Sequence, residues 1–560
     1  MSVVSHADRM ASLIRTAARE ARASAMPTPV FSQYRRYADE GDRLGYEELY
    51  FRRRRHVTAL AAEALIDPGT DPAALQDALW SVCDEYSWAL PAHEKQAVDM
   101  GRGMDQCLDL FAALTACLLA ETVQQCGERI DARVTARVRA EVEHRVLTLL
   151  ADDERPLPWE SWPDNWAAVC GGAAGMAGIA LWESGPRLDR LLDRCRRAMR
   201  TYLSGFGDDG GCAEGVGYWA FGFAHFVYFA EELRRLTGED LLDDPKVRAI
   251  ASFPAVVHLG EGLFPAFSDG QERPDLPVSL GCFLTTRLGV EVPGLAPVTE
   301  MPGDWADVTR TLRWGTLPAT HGANHSRTGT SWLPDLAWVV DRGESSAFAA
   351  KGGHNDEPHN HNDLGHFLLA AGGEVLLTDL GAGEYRKGYF DDDTRYTFLH
   401  NSSEGHSVPV IGSRGQSAGR RRAARVLRCE PGPDGVDYEL DLTAAYEADG
   451  LRSLRRRFSW RRTPGELLLT DEVRAEHGLT VDEVFVSRIE PRWEGSHAVW
   501  EGRTARARLA VPRQCVARDV ETLHTTDHDG APDTVHRLRV RFTVPAGTTS
   551  LRFTCTLQGR

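Results

Sequence analysis

A histidine-rich segment in the second half of the chain holds the residue types best suited to chemistry. Six of the nineteen histidines lie between His354 and His406, and acidic residues are interleaved among them. His359, His361 and Asp363 stand at every second position, and on a β-strand such residues share one face. Imidazole nitrogens with a carboxylate oxygen suit zinc or a similar divalent ion. The segment therefore predicts a metal site, with a polar loop or a self-satisfied histidine network as the alternative.

A second acidic residue, Asp379, follows a hairpin that turns at Gly372 and Gly373. An ideal two-residue turn there sets Asp379 opposite His366 and leaves His361 roughly 16 Å along the strand. His366 is thus the partner that local geometry favours. His361 becomes a partner only if the chain bends or bulges between residues 362 and 365. Spacing alone leaves both histidines open.

The elements that must position these residues change character along the chain. Up to about residue 315, apolar residues recur every three or four positions, as at Leu108, Phe111 and Leu114, and predict paired helices. After about residue 330, short β-rich runs separated by turn residues predict an antiparallel sandwich. The run from Arg455 to Arg462 is interpreted as a strand with one solvated face. We therefore expect an all-α half followed by an all-β half.

Composition excludes several classes of protein. The chain has 560 residues, 42% of them hydrophobic, which is enough for large buried cores. Lys+Arg minus Asp+Glu is 64 − 81 = −17, which argues against non-specific binding to nucleic acid or to anionic membranes. No signal peptide or membrane span is recognised, and the eleven cysteines form no CxxC pair. The expected location is the cytoplasm.

Several motifs together resemble the heparinase II/III-like polysaccharide lyases, relatives of alginate and glycosaminoglycan lyases. The order of these motifs is more specific than any one of them. They are CDEYSWALPAH (83–93), PDNWAAVCGG (163–172), DGGCAEGVGYW (209–219), HNHNDLGHF (359–367), LLTDLGAGEY (376–385) and RYTFLHNSSEGHSVPVIG (395–412). The resemblance implies a multidomain α and β fold. An incomplete N-terminal α/α toroid would occupy residues 1–325, and a C-terminal antiparallel β-sandwich residues 326–560.

The resemblance also implies a reaction, β-elimination across a uronic-acid glycosidic bond. Such a site needs a donor that neutralises the carboxylate, a base for the C5 proton and an acid for the leaving oxygen. Carried over by motif, Asn165 would neutralise, Tyr218 would transfer protons and His359 would assist. Tyr396 matches a second tyrosine found in some members. Several members have a catalytic histidine directly after the Asn, and here that residue is Trp166, so Tyr218 is expected to act as both base and acid.

Other residues are expected to bind the substrate or to tune Tyr218. A tyrosine with a pKa of about 10 is a poor base unless a cation or a hydrogen bond lowers it, a part that Arg395 or His359 would play. Glu214 would orient or bind the substrate, or else simply favour a helix N-terminus. Trp166 and Trp219 are candidates for stacking on sugar rings.

Members of the family commonly hold a zinc ion in the sandwich. By motif its ligands would be His361, Asp379 and His406, with His400 as the rival for the third place. The ion is expected to be structural, because it would fix the loop that carries His359.

The leading function is therefore a lyase that acts on anionic, uronic-acid-containing oligosaccharides inside the cell. The alternatives are a lyase for a small carboxylated metabolite in a biosynthetic pathway, and a carbohydrate-binding relative without catalysis. Hydrolysis is disfavoured because it needs two flanking carboxylates. Neither nucleic acid nor a membrane is expected as a partner, and a homodimer is compatible with the sequence.

Overall fold

The computed structural model describes residues 3–318 and 328–559. The chain forms two compact units. We call residues 3–206, 218–251 and 276–318 the helical unit, and residues 207–217, 252–275 and 328–559 the β unit. The predicted boundary between residues 325 and 326 lies outside the described residues. Two segments of the helix-rich half, 207–217 and 252–275, belong to the β unit, which the sequence did not predict.

The predicted helices are present. In the described residues they are α1 (His6–Ala23), α2 (Phe31–Tyr34), α3 (Arg36–Glu40), α4 (Leu44–Ile66), α5 (Ala73–Cys83), α6 (Glu94–Asp99), α7 (Leu110–Cys126), α8 (Ala132–Val142), α9 (Thr148–Ala151), α10 (Asn165–Leu181), α11 (Pro186–Ser204), α12 (Val216–Thr237), α13 (Pro245–Val257), α14 (Val278–Leu288) and α15 (Trp305–Trp314).

Helix α7 is long and apolar. Asp109 caps it by accepting a hydrogen bond from the backbone N–H of Ala112 at 2.7 Å. By length and composition the stretch Leu110–Arg129 could cross a bilayer, but 72% of its apolar window is buried within the protein. A core helix has this property, so the stretch gives weak evidence for a membrane span.

Helix α10 packs closely against its neighbours because it carries glycines on the sides that face α11 and α12. A Cβ atom placed on Gly171 would lie 2.8 Å from the Cβ of Ala198 in α11. One placed on Gly172 would lie 2.8 Å from the carbonyl oxygen of His225 in α12. These approaches leave no room for a side chain, and they fix the first residue of α10, Asn165, beside α12.

The strands form antiparallel sheets. They are β1 (Val3–Ser5), β2 (Thr316–Pro318), β3 (Gly329–Leu333), β4 (Trp338–Arg342), β5 (Ser346–Lys351), β6 (Gly353–Asn355), β7 (Phe367–Ala371), β8 (Glu374–Leu377), β9 (Val410–Ile411), β10 (Gly419–Gly432), β11 (Gly435–Asp441), β12 (Leu451–Arg461), β13 (Glu466–Ala475), β14 (Leu479–Ser487), β15 (Arg492–Glu494), β16 (His497–Glu501), β17 (Ala505–Ala510), β18 (Ala517–Thr526), β19 (Pro532–Val544) and β20 (Gly547–Gly559).

Three of these sheets build the β unit. Their strand orders are β15-β16-β17-β20-β13-β12-β11-β10-β6, β18-β19-β14-β9 and β3-β4-β5-β7-β8. The nine-stranded sheet packs on both smaller ones: Phe458 of β12 contacts Phe348 of β5, and Phe553 of β20 contacts Phe485 of β14, with ring centroids 5.6 and 5.1 Å apart. One continuous apolar core joins all three sheets. The predicted antiparallel sandwich is thus confirmed.

Strand β12 corrects the interpretation of its arginine run. Leu454, Phe458 and Trp460 alternate inward as predicted, but Arg456 lies in the same inward row and is fully buried. Its guanidinium donates to the carboxylates of Asp471 and Glu483. A charge is tolerated in this row because it is paired.

Candidate functional site

The predicted metal ligands come together in the β unit. His361, Asp379 and His406 are each fully buried, and one ligand atom from each lies within 4.8 Å of the other two. Within the described residues, His361 Nδ1, Asp379 Oδ2 and His406 Nδ1 have no partner at hydrogen-bond distance, and the last two atoms are 3.6 Å apart. Buried polar atoms are seldom left unpaired, so this donor set fits a divalent cation.

The segment that carries His359, His361 and His366 is not a strand, contrary to the prediction. Strand β6 ends at Asn355 and β7 begins at Phe367, with turns between them. One turn is closed by the N–H of His366 donating to the carbonyl of Asp363, with Gly365 at φ 80°. This is the bend that His361 needs to reach Asp379. Because the chain turns, His359, His361 and Asp363 do not share one face.

Two rival histidines lie beside the set without replacing its members. The ring of His366 is 3.4 Å (Nε2) from Asp379 Oδ2, and its Nδ1 accepts from the N–H of Ser407. Burial lowers the pKa of His366 to about 3 and that of His400 to about 4. His400 contributes its carbonyl oxygen, which lies 2.8 Å from His406 Nε2. That contact directs the other nitrogen of His406 toward Asp379.

His359 lies next to this set in a strained conformation. Its φ is 55°, in the left-handed region that a histidine rarely occupies. Its ring nitrogens lie 2.6 Å (Nδ1) from Asp269 and 3.4 Å (Nε2) from Glu214. Burial alone would lower the pKa of His359, but the two carboxylates raise it above its ordinary value. The side chain is 15% exposed, so it is held firmly and still reaches solvent.

Asp269 is a candidate site residue that the sequence did not reveal. It is buried in the segment 252–275, about ninety positions from the histidines. Its carboxylate is hydrogen-bonded to the rings of His359 and His361 and to the hydroxyls of Tyr385 and Tyr389. A single acidic residue in a loop has no periodicity or motif that would have marked it.

Arg395 and Tyr396 support the same loop. The guanidinium of Arg395 donates to the carbonyl oxygens of Asn360 and Tyr389 at 2.8 and 3.1 Å. The hydroxyl of Tyr396 donates to the side-chain oxygen of Asn360 at 3.1 Å. Both residues hydrogen-bond to Asn360, which directly follows His359. The guanidinium of Arg395 donates mainly to backbone carbonyls.

The remaining candidates lie in the helical unit. A Cβ atom on Gly222 of α12 would lie 3.1 Å from the Cβ of Asn165, so the two helices nearly touch there. Tyr218, half-buried, precedes Gly222 by one helical turn and lies on the same side of α12. The two motif residues Asn165 and Tyr218 thus come from neighbouring positions on adjacent helices.

The two tryptophans expected to stack on sugars differ. Trp166 is partly exposed, and its ring lies 4.9 Å from that of His93, which is 2.7 Å from Asp109. His93 therefore lies beside Trp166, at the position where several members of the resembled family have a histidine. His93 itself comes from another part of the chain. Trp219 is fully buried and donates to the carbonyl of Ile250. A stacking role does not fit that position.

Comparison with known proteins agrees with this architecture. Residues 326–554 match the profile of the family described as heparinase II/III-like, C-terminal. Among curated proteins, no sequence matches the chain.

Solved structures resemble the whole chain. A mutant heparan sulfate lyase from Pedobacter heparinus superposes with a TM-score of 0.61 at 11% identity, over 99% of this chain and 89% of its own. A heparinase III gives 0.63 at 14% identity, over 96% and 79%. A chondroitin AC lyase from Streptomyces coelicolor A3 gives 0.55 at 13%, over 98% and 79%. The chain therefore contains a heparinase II/III-like C-terminal domain within the toroid-plus-sandwich fold of these lyases.

Proposed function

We propose that the protein is a polysaccharide lyase that cleaves a uronic-acid glycosidic bond by β-elimination. The observation that carries the proposal is His359, partly exposed on a strained loop and held by a buried carboxylate in a heparinase II/III-like domain. Strain of this kind, about 1–3 kcal/mol, persists where the surroundings enforce it and is concentrated at functional positions. Two of the similar structures named above are a heparan sulfate lyase and a chondroitin AC lyase, which supports an anionic oligosaccharide as substrate.

The reaction assigns a role to each candidate side chain. The amide of Asn165 would donate to the substrate carboxylate, because the C5 proton is hardly acidic while that group keeps its full charge. The phenolate of Tyr218, which has first lost its proton to solvent, would take the C5 proton, and the hydroxyl so formed would give that proton to the leaving oxygen. His359 would assist through Nε2, the ring nitrogen that does not face Asp269. No water is consumed, and the product carries a double bond conjugated with the carboxylate.

Zinc is the cation we propose for the set of His361, Asp379 and His406. Two imidazole nitrogens and one carboxylate oxygen are ligands that zinc prefers. When bound, the ion would supply structural cross-linking of the segments that carry these residues, one of which also carries His359. The residues of this chain then do the chemistry.

Removing the metal is expected to destabilise the protein. Chelation should lower the Tm by about 5 °C or more, because a ligand at 100 times its Kd contributes about 2.7 kcal/mol to the folded state. His406→Ala should show the lower Tm without chelator. His477→Ala, at an exposed site of the same unit, is the matched control. Protein purified without zinc, free of metal and unmoved by chelator, would refute the assignment.

The function is tested with oligosaccharides of heparan sulfate, chondroitin sulfate and alginate. The wild type should generate the ultraviolet absorbance of the conjugated double bond on at least one of them. His359→Gln should lower kcat by about 10²-fold or more, because it removes a titratable ring, while His477→Ala should leave it unchanged. Absence of elimination on every uronide, with turnover of a smaller carboxylated acid, would refute the polysaccharide proposal in favour of a metabolite lyase.

A further inference from the structure

One buried carboxylate contacts both histidines that matter to the site. Asp269 Oδ2 lies 2.6 Å from His359 Nδ1, and Asp269 Oδ1 lies 3.0 Å from His361 Nε2. The hydroxyls of Tyr385 and Tyr389 donate to the same two oxygens at 3.0 and 2.7 Å. Each oxygen therefore accepts two hydrogen bonds, and the side chain of Asp269 is fully buried.

This arrangement fixes which nitrogen of each ring faces the carboxylate. A carboxylate has two accepting oxygens, and each oxygen of Asp269 contacts one ring nitrogen and one tyrosine hydroxyl. His359 faces the carboxylate with Nδ1, and His361 faces it with Nε2. The other nitrogen of His359, Nε2, lies 3.4 Å from Glu214. The other nitrogen of His361, Nδ1, is the one available to the set that includes Asp379 and His406.

We propose that Asp269 is a positioning residue that couples the metal site to the proton-transfer site by holding the rings of His361 and His359 in fixed orientations with one carboxylate. The inference rests on the proposed function for the role of His359, and on the proposed metal for the role of His361. Loss of the carboxylate would then weaken metal binding and catalysis together, although Asp269 itself touches neither metal nor substrate.

The backbone around Asp269 supports this role. Ser268, the preceding residue, has φ 58°, and His359 has φ 55°. His359 and the residue before Asp269 are thus both held in left-handed backbone, which costs about 1–3 kcal/mol per residue. Gly270, which follows Asp269, is also closely packed, because a Cβ atom placed on Gly381 would lie 2.2 Å from the carbonyl oxygen of Gly270. The chain maintains this contact at a cost in backbone energy.

Asp269→Asn is the decisive variant. An amide has one accepting oxygen and one donating nitrogen, so it cannot accept from both rings, and one ring loses the contact that holds it. We expect kcat to fall about 10- to 100-fold with a smaller change in KM, and zinc affinity, measured by chelator competition on the resting protein, to fall by a similar factor. Asp341→Asn is the matched control, since Asp341 is equally buried and bonded to Trp460 and Arg462. It should lower the Tm but leave zinc affinity and kcat within about 3-fold of the wild type.

A second variant covers the case in which Asp269→Asn does not fold. Asp269→Glu keeps two accepting oxygens and should retain zinc affinity and kcat to a matching extent. The coupling would be overturned if Asp269→Glu recovered zinc affinity without kcat, or kcat without zinc affinity. It would also be overturned if Asp269→Asn kept both values near wild type. If the wild type eliminates no uronide, the proposed function fails, whereas the zinc affinities of wild type and Asp269→Asn still decide whether Asp269 supports the metal site.

Discussion

Replacing Tyr218 by phenylalanine is expected to lower kcat by about 10²- to 10⁴-fold, with little change in Tm. The substitution removes one phenolic oxygen and leaves the ring, so packing on α12 is preserved. General acid–base catalysis by a positioned side chain is worth a factor of this size. The loss should be at the upper end, because Tyr218 is proposed to serve as both base and acid while Trp166 occupies the position of the family histidine.

The matched control for this variant is Tyr86→Phe. Tyr86 lies in the same unit, is 68% exposed and has no assigned role. Its variant should retain wild-type kcat and KM in the assay for unsaturated product. A Tyr218→Phe protein that keeps more than a tenth of wild-type kcat would contradict the assignment of proton transfer to this residue, and would leave His359 as the group to test next.

Replacing Arg456 by methionine is expected to cause the largest loss of stability, about 3–5 kcal/mol. The substitution would strand the carboxylates of Asp471 and Glu483 in the sandwich core without their cation. Breaking a buried pair from one side carries a cost of this order. For a unit of this size, the Tm should fall on the order of 10 °C.

The same arginine also supports the candidate metal site. Its Nη1 donates to the carbonyl oxygens of Gly365 and Ser407, at 3.1 and 2.8 Å. These residues directly adjoin His366 and His406, so the variant should lose zinc affinity as well as stability. The stability effect is measured by thermal and urea unfolding, and the metal effect by chelator competition.

Arg457→Met is the control for Arg456→Met. Arg457 is the next residue of β12 and points to the opposite face, where its side chain is 42% exposed beside Asp437. Pairs of this kind contribute about 0–1 kcal/mol, so its variant should unfold close to the wild type. Equal losses from both substitutions would contradict the account of a buried ion pair.

The sequence predicted the fold and the composition of the site better than its local geometry. Helical periodicity and strand alternation report which side of an element is buried, and they placed the change from helices to strands correctly. The resemblance to the family named His361, Asp379 and His406 together. Spacing alone did not, because the turn with Gly365 at positive φ brings His361 to Asp379, and no period describes a turn.

The residues that the sequence missed act through contacts between distant segments. Asp269 is one of many acidic residues, and only folding brings it to His359 and His361. Arg456 carried a signal that was overlooked, since it is in phase with Leu454, Phe458 and Trp460 and so had to point inward. Trp219 is a candidate for stacking by residue type, because a flat apolar ring suits a sugar, yet residue type does not report direction. Its ring lies in the core, about 100° around α12 from Tyr218.

The most direct test of the central claim is the mass and ultraviolet spectrum of the products formed from a defined uronic-acid oligosaccharide. Elimination predicts product masses that add up to the mass of the substrate, with one product absorbing as a conjugated unsaturated uronate. Products that together are heavier by one water, without that absorbance, would mean hydrolysis and would contradict the account.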